Sequence, residues 1–188
     1  MSKSKGNVIN PLELVDKYGA DALRISMVAG SAPGNPIALS EPKVKGYRNF
    51  ANKIWNIGRF IDLQTAELNE SLFEINEQSA VELPESDQQI LSRLNEIIAQ
   101  TTEFLEAFRF SDAALGLYDF IWNELANTYL EENKNRTDKH VYLAVITKIY
   151  LTCLQLLHPF MPFVTEAVWQ YLRPGDESLA LSAWPKNS

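Results

Sequence analysis

The chain has 188 residues, 46% of them apolar, four tryptophans and a formal charge of −7. That length suits one domain or one and a half with a real core. The single cysteine, Cys153, excludes an internal disulfide and a multi-cysteine zinc site. No continuous apolar run nears the roughly 18 residues that span a bilayer. Val8-Ile9 is too short for the apolar part of a secretion signal. A reducing, cytoplasmic setting without a membrane partner is expected. The charge is uneven: residues 1–60 hold nine Lys/Arg against four Asp/Glu, and residues 61–188 hold eight against twenty. An acidic chain with a basic first third still has a surface to offer a polyanion.

In chain order, Met1-Ser2-Lys3-Ser4-Lys5-Gly6-Asn7 comes first. Two ammonium groups and two hydroxyls beside a glycine suit phosphate oxygens, although short Ser/Lys runs are also common as tails. Asn10-Pro11 predicts a capped helix start, with apolar spacing from Leu12 to about Ala29. Gly30 to Leu39 reads as a loop, and Ser40 as the cap of a long helix over 41–66. The polar, acidic stretch 67–84 reads as a linker. Ser86 with Gln89 resembles a capping box that opens a helix to about Phe108. Ser111 is expected to cap the next helix, to about Glu132. Asn133 to Arg136 turns, Asp138 to Leu157 is helical, His158-Pro159 stops that helix, and Pro162 starts a last one to about Leu172. A short strand is expected around Leu179 to Ser182. No stretch has sustained strand alternation with hairpin signals. The expected fold is all-α, an antiparallel helix bundle preceded by a loop-helix segment.

The helix from Lys45 to Ile61 is unlike plain scaffold. At 100° per residue, Tyr47, Phe50, Ala51, Ile54, Ile57, Gly58 and Ile61 share the core side. Lys45, Arg48, Asn49, Asn52, Lys53, Asn56 and Arg59 form the opposite stripe: four cations, three amides and no carboxylate. Such a face suits phosphates and base edges. Phe60 falls inside the stripe. Either a second helix covers it, or it stacks on an unpaired base. Trp55, at the edge of the apolar side, reads as core. Cys153 reads as a buried thiol, His140 as exposed, and His158 as a cation suited to a helix end. Neither histidine has a carboxylate or hydroxyl beside it in sequence, so no catalytic role is assigned. Tyr118, Trp122, Leu125 and Tyr129 share a helical core face, and the acidic second half reads as solvated surface. There is no Walker-type loop and no dinucleotide fingerprint.

Met1-Ser-Lys-Ser-Lys-Gly-Asn-Val-Ile-Asn-Pro11 with Lys17-Tyr-Gly-Ala-Asp-Ala-Leu-Arg24 resembles the signature lysine loop of class I aminoacyl-tRNA synthetases and the helix after it. Leu157-His-Pro-Phe-Met-Pro-Phe-Val-Thr-Glu166, Trp169 and Trp184-Pro185 resemble later helices of the valine, isoleucine, leucine and methionine group. Tyr47-Arg-Asn-Phe-Ala-Asn-Lys-Ile-Trp-Asn56 resembles the first anticodon-binding helix of the valine branch. The resemblance covers the whole chain and implies two parts, the loop with its connecting helix over 1–39 and an anticodon-binding bundle over 40–188.

It also implies roles. Lys3 corresponds to the loop's second lysine, which stabilises charge on the ATP phosphates as the adenylate forms, a usual electrostatic task; Ser2, Ser4 and Lys5 are its loop neighbours. The stripe from Lys45 to Arg59 would face a tRNA anticodon arm, with Phe60 a stacking residue. The implied partners are tRNA, that of valine first, and the catalytic domain of the same polypeptide, in a monomer. ATP and Mg2+ belong to the parent enzyme, and no cofactor or metal is expected in this chain. The family's loop lysine before the methionine, its His-Ile-Gly-His motif, parallel-sheet core, editing domain and C-terminal coiled-coil arm have no counterpart here. The chain alone is therefore not expected to catalyse valine activation. An isoleucine or leucine enzyme is the rival within the family. A structural bundle that docks on protein is the rival outside it.

Overall fold

The computed structural model describes residues 10–31, 39–68 and 83–186. The first helix, α1 (Pro11–Tyr18), starts as its sequence dictates: the Asn10 side chain accepts from the Leu12 N–H at 3.1 Å, and Pro11 occupies the first position. The single helix expected to Ala29 is instead two. Gly19 takes φ +89, a left-handed value that glycine adopts freely, and α2 (Ala20–Val28) leaves in a new direction. The apolar spacing carried through the turn, so periodicity alone could not place the break.

α3 (Glu41–Glu67) is the long helix predicted, with Ser40 at its cap position but without a side-chain cap bond. Of the linker read over 67–84, residues 69–82 lie outside the described residues. α4 (Glu85–Glu106) begins after Pro84. The expected capping box does not form: Ser86 Oγ turns to Asp87 Oδ1 at 3.4 Å, and Gln89 bonds Glu85. α5 (Phe110–Asp119) follows a tight corner with Arg109 at its cap position. Ser111, expected as that cap, accepts instead from the Gly30 N–H at 2.9 Å and ties α5 to the end of α2.

From Phe120 to Leu130 the chain winds as a π-helix before a last α-helical turn over Glu131–Asn133. Thr128 Oγ1 donates to the carbonyl of Asn123, five residues back, in keeping with the wider winding. α6 (Lys139–Leu157) and α7 (Pro162–Leu172) sit as predicted. The strand expected at Leu179 is a 3-10 turn, Leu179–Leu181, opened by Ser178 Oγ accepting from the Ala180 N–H. With no strand among the described residues, the architecture is the all-α bundle the patterning implies.

Two apolar clusters organise it. The main one gathers α3 to α7 with the π-helix, and takes Ile25 from α2 and Ala29 from just after it. The smaller holds Leu14, Ala22, Leu23 and Val44, with Tyr47 packed against both. α6 is, among the described residues, the one helix long and apolar enough to cross a membrane, although no continuous apolar run marked it. It is the central core helix: Cys153 is buried in it, and burial pushes that thiol's pKa well up. The acidic half is not all solvated surface either. Asp87 is fully buried, and its Oδ1 accepts from Tyr129 at 2.8 Å and Arg136 at 2.5 Å, which pins the start of α4 to the turn before α6.

Two positions carry testable strain. A Cβ at Gly58 would meet Val168 at 2.8 Å and the Tyr150 hydroxyl at 3.4 Å. Gly58→Ala should lower stability by about 1–3 kcal/mol through overpacking, read as a fall in the urea midpoint. Phe108 closes α4 at φ 58, where the Arg109 N–H bonds the Phe104 carbonyl and the Phe108 N–H bonds that of Leu105. This is the helix-ending pattern that favours glycine. Phe108 is 77% exposed, so little packing is lost on truncation. Phe108→Gly should raise stability by about 1 kcal/mol; a lowered midpoint would show that its edge contact with Phe110 outweighs the strain.

Candidate nucleic-acid interface

α3 is positioned from both sides. Its Ile54 carbonyl accepts from the buried Tyr150 hydroxyl on α6, and at Gly58 it lies close against α7. These contacts fix which face points outward. Lys45, Arg48, Asn49, Asn52, Asn56 and Arg59 are exposed, whereas Lys53 and Phe60 are half-buried. The stripe is thus a surface feature, and its two exceptions share one flank.

That flank faces the π-helix. Lys53 Nζ donates to Asn127 Oδ1 at 3.1 Å and lies 5.5 Å from the centre of the Trp122 ring. Beside it is a recess of about 170 Å³ lined by Lys53, Asn56, Ile57, Phe60, Ala126, Leu130, Glu131 and Lys134. Phe60 packs on the core with part of its ring left to the recess. The covered, core-packed reading of this residue thus describes most of the ring, and the rest is open to the recess. Trp122, expected as core, is also only half-buried and stacks on Tyr118 at 5.7 Å.

The recess is less basic than α3 alone. Glu131 brings a carboxylate, held by Lys134 at 2.6 Å and kept below the usual range first by that lysine and then by Lys53. Asn127, Glu131 and Lys134 were not singled out from sequence. Their only signal is their place in and just after the π-helix, where 3.6-residue spacing misassigns faces.

The opposite flank of α3 faces α1, α2 and α7 across a groove of about 340 Å³, lined among others by Gly19, Asp21, Arg48, Asn52, Trp55 and Phe163. Arg48 Nη1 donates to the Tyr18 carbonyl at 3.3 Å, and a Cβ at Gly19 would come within 3.2 Å of it. Trp55, expected in the core, is instead 37% exposed. Its ring lies 5.5 Å from that of Tyr171, whose hydroxyl bonds Asp62 at 2.5 Å.

A latch closes the floor of this groove. Asp21 is 6% exposed, and its two oxygens accept from the N–H groups of Phe163, at 3.2 Å, and Val164, at 2.6 Å, in the first turn of α7. Burial pushes the Asp21 pKa up, and the two N–H bonds oppose the shift. Arg24 adds a bond to the Pro159 carbonyl at 3.2 Å. Nearby, His158 Nδ1 is 2.8 Å from Thr165 Oγ1, a hydroxyl partner one turn into α7 that its sequence neighbours do not reveal. Ser2, Lys3, Ser4 and Lys5 lie outside the described residues.

Comparison with known proteins bears directly on this arrangement. Residues 87–188, more than half of the chain, match the family model for the anticodon-binding domain of tRNA ligases. The chain belongs to that family. Its residues 1–40 match the model for class I tRNA synthetases of the I, L, M and V group. The chain is 43% identical over 177 residues to a valine–tRNA ligase of Dehalococcoides mccartyi strain CBDB1, covering 93% of this chain and 19% of that protein. It is 44% identical to the valine–tRNA ligase of Geobacter sulfurreducens, covering 100% of this chain and 22% of that one. It thus spans about a fifth of the length of the curated relatives it matches. A LeuRS from Agrobacterium radiobacter K84, solved in a ternary complex with tRNA and LeuAMS, has the same fold at TM-score 0.72 and 23% identity, covering all of this chain and 22% of that one.

Within this anticodon-binding family member, the latch makes a direct prediction. Asp21→Ala leaves two N–H groups at the start of α7 without their acceptor and should cost about 2 kcal/mol or more. Amide exchange at Phe163 and Val164 should accelerate, while Asp16→Ala, at an exposed position of α1, leaves both unchanged. Equal protection in the two variants would show that the latch contributes nothing.

Proposed function

We propose that this chain is the part of a valine–tRNA ligase that engages the anticodon arm of its tRNA. The observation that carries the reading is the exposed, carboxylate-free crest of α3, flanked by the recess that holds Phe60 and Lys53. Lys45, Arg48, Lys53 and Arg59 supply charge for phosphates, Asn49, Asn52 and Asn56 supply paired donors and acceptors for base edges, and Phe60 offers a ring to an unpaired base. Similarity to valine–tRNA ligases along nearly the whole chain supports valine's tRNA as the ligand. On this reading, residues 1–39 belong to the connection with the catalytic domain of the same polypeptide and residues 40–188 form the anticodon-binding unit. The whole enzyme is a cytoplasmic monomer that activates valine with ATP and Mg2+, and Lys3 is the residue of this chain that steadies phosphate charge there.

Titration of a valine tRNA transcript tests the reading. Affinity should fall steeply with salt, because phosphate contacts release counterions. Lys53→Glu with Arg59→Glu should weaken binding and flatten that slope. Phe60→Ala should cost about 1–3 kcal/mol, with Phe60→Tyr close to wild type. Binding that is indifferent to salt and to the charge reversals would overturn the proposal in favour of a bundle that docks on protein.

A further inference from the structure

We propose that the groove on the other flank of α3 is a second seat for an unpaired base of the same RNA loop, with Trp55 and Phe163 as its stacking faces. The inference rests on the anticodon-arm reading and adds a ligand position that the crest of α3 alone does not supply.

Trp55 is 37% exposed and Phe163 64% exposed, and both line the groove of about 340 Å³. Single exposed aromatics are ordinary surface; two on one groove, beside a guanidinium and an amide, form a pattern. Trp55 is braced rather than loose. Tyr171 lies against it with the rings tilted by 39°, and Asp62 holds the Tyr171 hydroxyl. A ring fixed before the ligand arrives loses little freedom on binding. Phe163 stands on the first turn of α7, where Asp21 holds its backbone.

The two flanks repeat one chemistry. The first recess offers Phe60, the Asn56 amide and Lys53. The second offers Trp55 with Phe163, the Asn52 amide and Arg48. Asp21 is the carboxylate lining the second groove, and both of its oxygens are turned to the α7 N–H groups. Trp55 precedes Phe60 by five residues, which on an α-helix is about 7.5 Å along the axis and about 140° around it. The amides of Asn52 and Asn56 lie on the crest between. A strand that crosses this crest with its phosphates on the basic residues would turn one base down each side. Stacking is sequence-tolerant and basic residues track the backbone, so the second seat adds affinity without a strict base preference.

The test uses an anticodon stem-loop RNA of a valine tRNA, carrying 2-aminopurine at one loop position at a time. Trp55→Leu and Phe163→Ala should each weaken binding about 5-fold or more, and Phe163→Tyr should restore it. Fluorescence should be released at a different loop position from the one that responds to Phe60→Ala. Thermal midpoints within a few degrees of wild type would exclude unfolding as the cause, as expected for exposed side chains. If Phe60→Ala and Lys53→Glu weaken binding while Trp55→Leu and Phe163→Ala do not, the second seat is wrong and the anticodon-arm reading stands. Release of the same loop position by both sets of variants also overturns it, since there is then one seat. If the unaltered chain binds no RNA, both proposals fall.

Discussion

The close seating of α3 against α6 and α7 governs the rest of this structure. At Gly58 the absence of a side chain brings the backbone of α3 within reach of Val168 and Tyr150. One turn earlier, the buried Tyr150 hydroxyl occupies the Ile54 carbonyl. A 27-residue helix held in this way cannot roll. Its polar crest is therefore delivered to the surface, and its two shoulders become the walls of two depressions. Rotation of α3 by a single residue position, about 100°, would bury charge on one side and expose Ile57 or Ile61 on the other.

The second constraint is the connection between the first two helices and the bundle. α2 contributes Leu23 to the small cluster and Ile25 to the large one, to which Ala29 just after it also belongs, so apolar packing alone already joins them. Asp21 adds direction to that contact. A carboxylate at the start of a helix satisfies N–H groups that have no partner within the helix and meets the positive end of its dipole. The acid comes here from another helix more than a hundred residues away in sequence. The start of α2 is thus fixed relative to α7, the opposite wall of the groove.

The sequence was informative where local rules coincide with tertiary demands. Asn10-Pro11 started a helix, Pro162 started another, and the apolar stripe of α3 identified Phe50, Ile54, Ile57 and Ile61 as core. It failed where a residue with a good local role was taken by a distant partner. Ser111 serves Gly30 instead of its own helix. Trp55 belongs by pattern to the apolar edge, but α7 presents Tyr171 there and leaves the indole partly uncovered. The candidate site was legible only on α3. Its other walls come from the turn at Gly19, from α7 and from the π-helix, and no linear pattern joins those segments.

The π-helix has a consequence for how this wall tolerates change in length. Over Phe120–Leu130 the chain carries more residues per turn than the helices around it. One deleted residue there need not shorten the wall. Tightening of the winding toward an ordinary α-helix would turn the faces that carry Asn127 and Glu131 relative to Lys53. Substitution scans would miss such a change. Among relatives aligned through this stretch, a one-residue gap would carry more meaning for the recess than several replaced side chains.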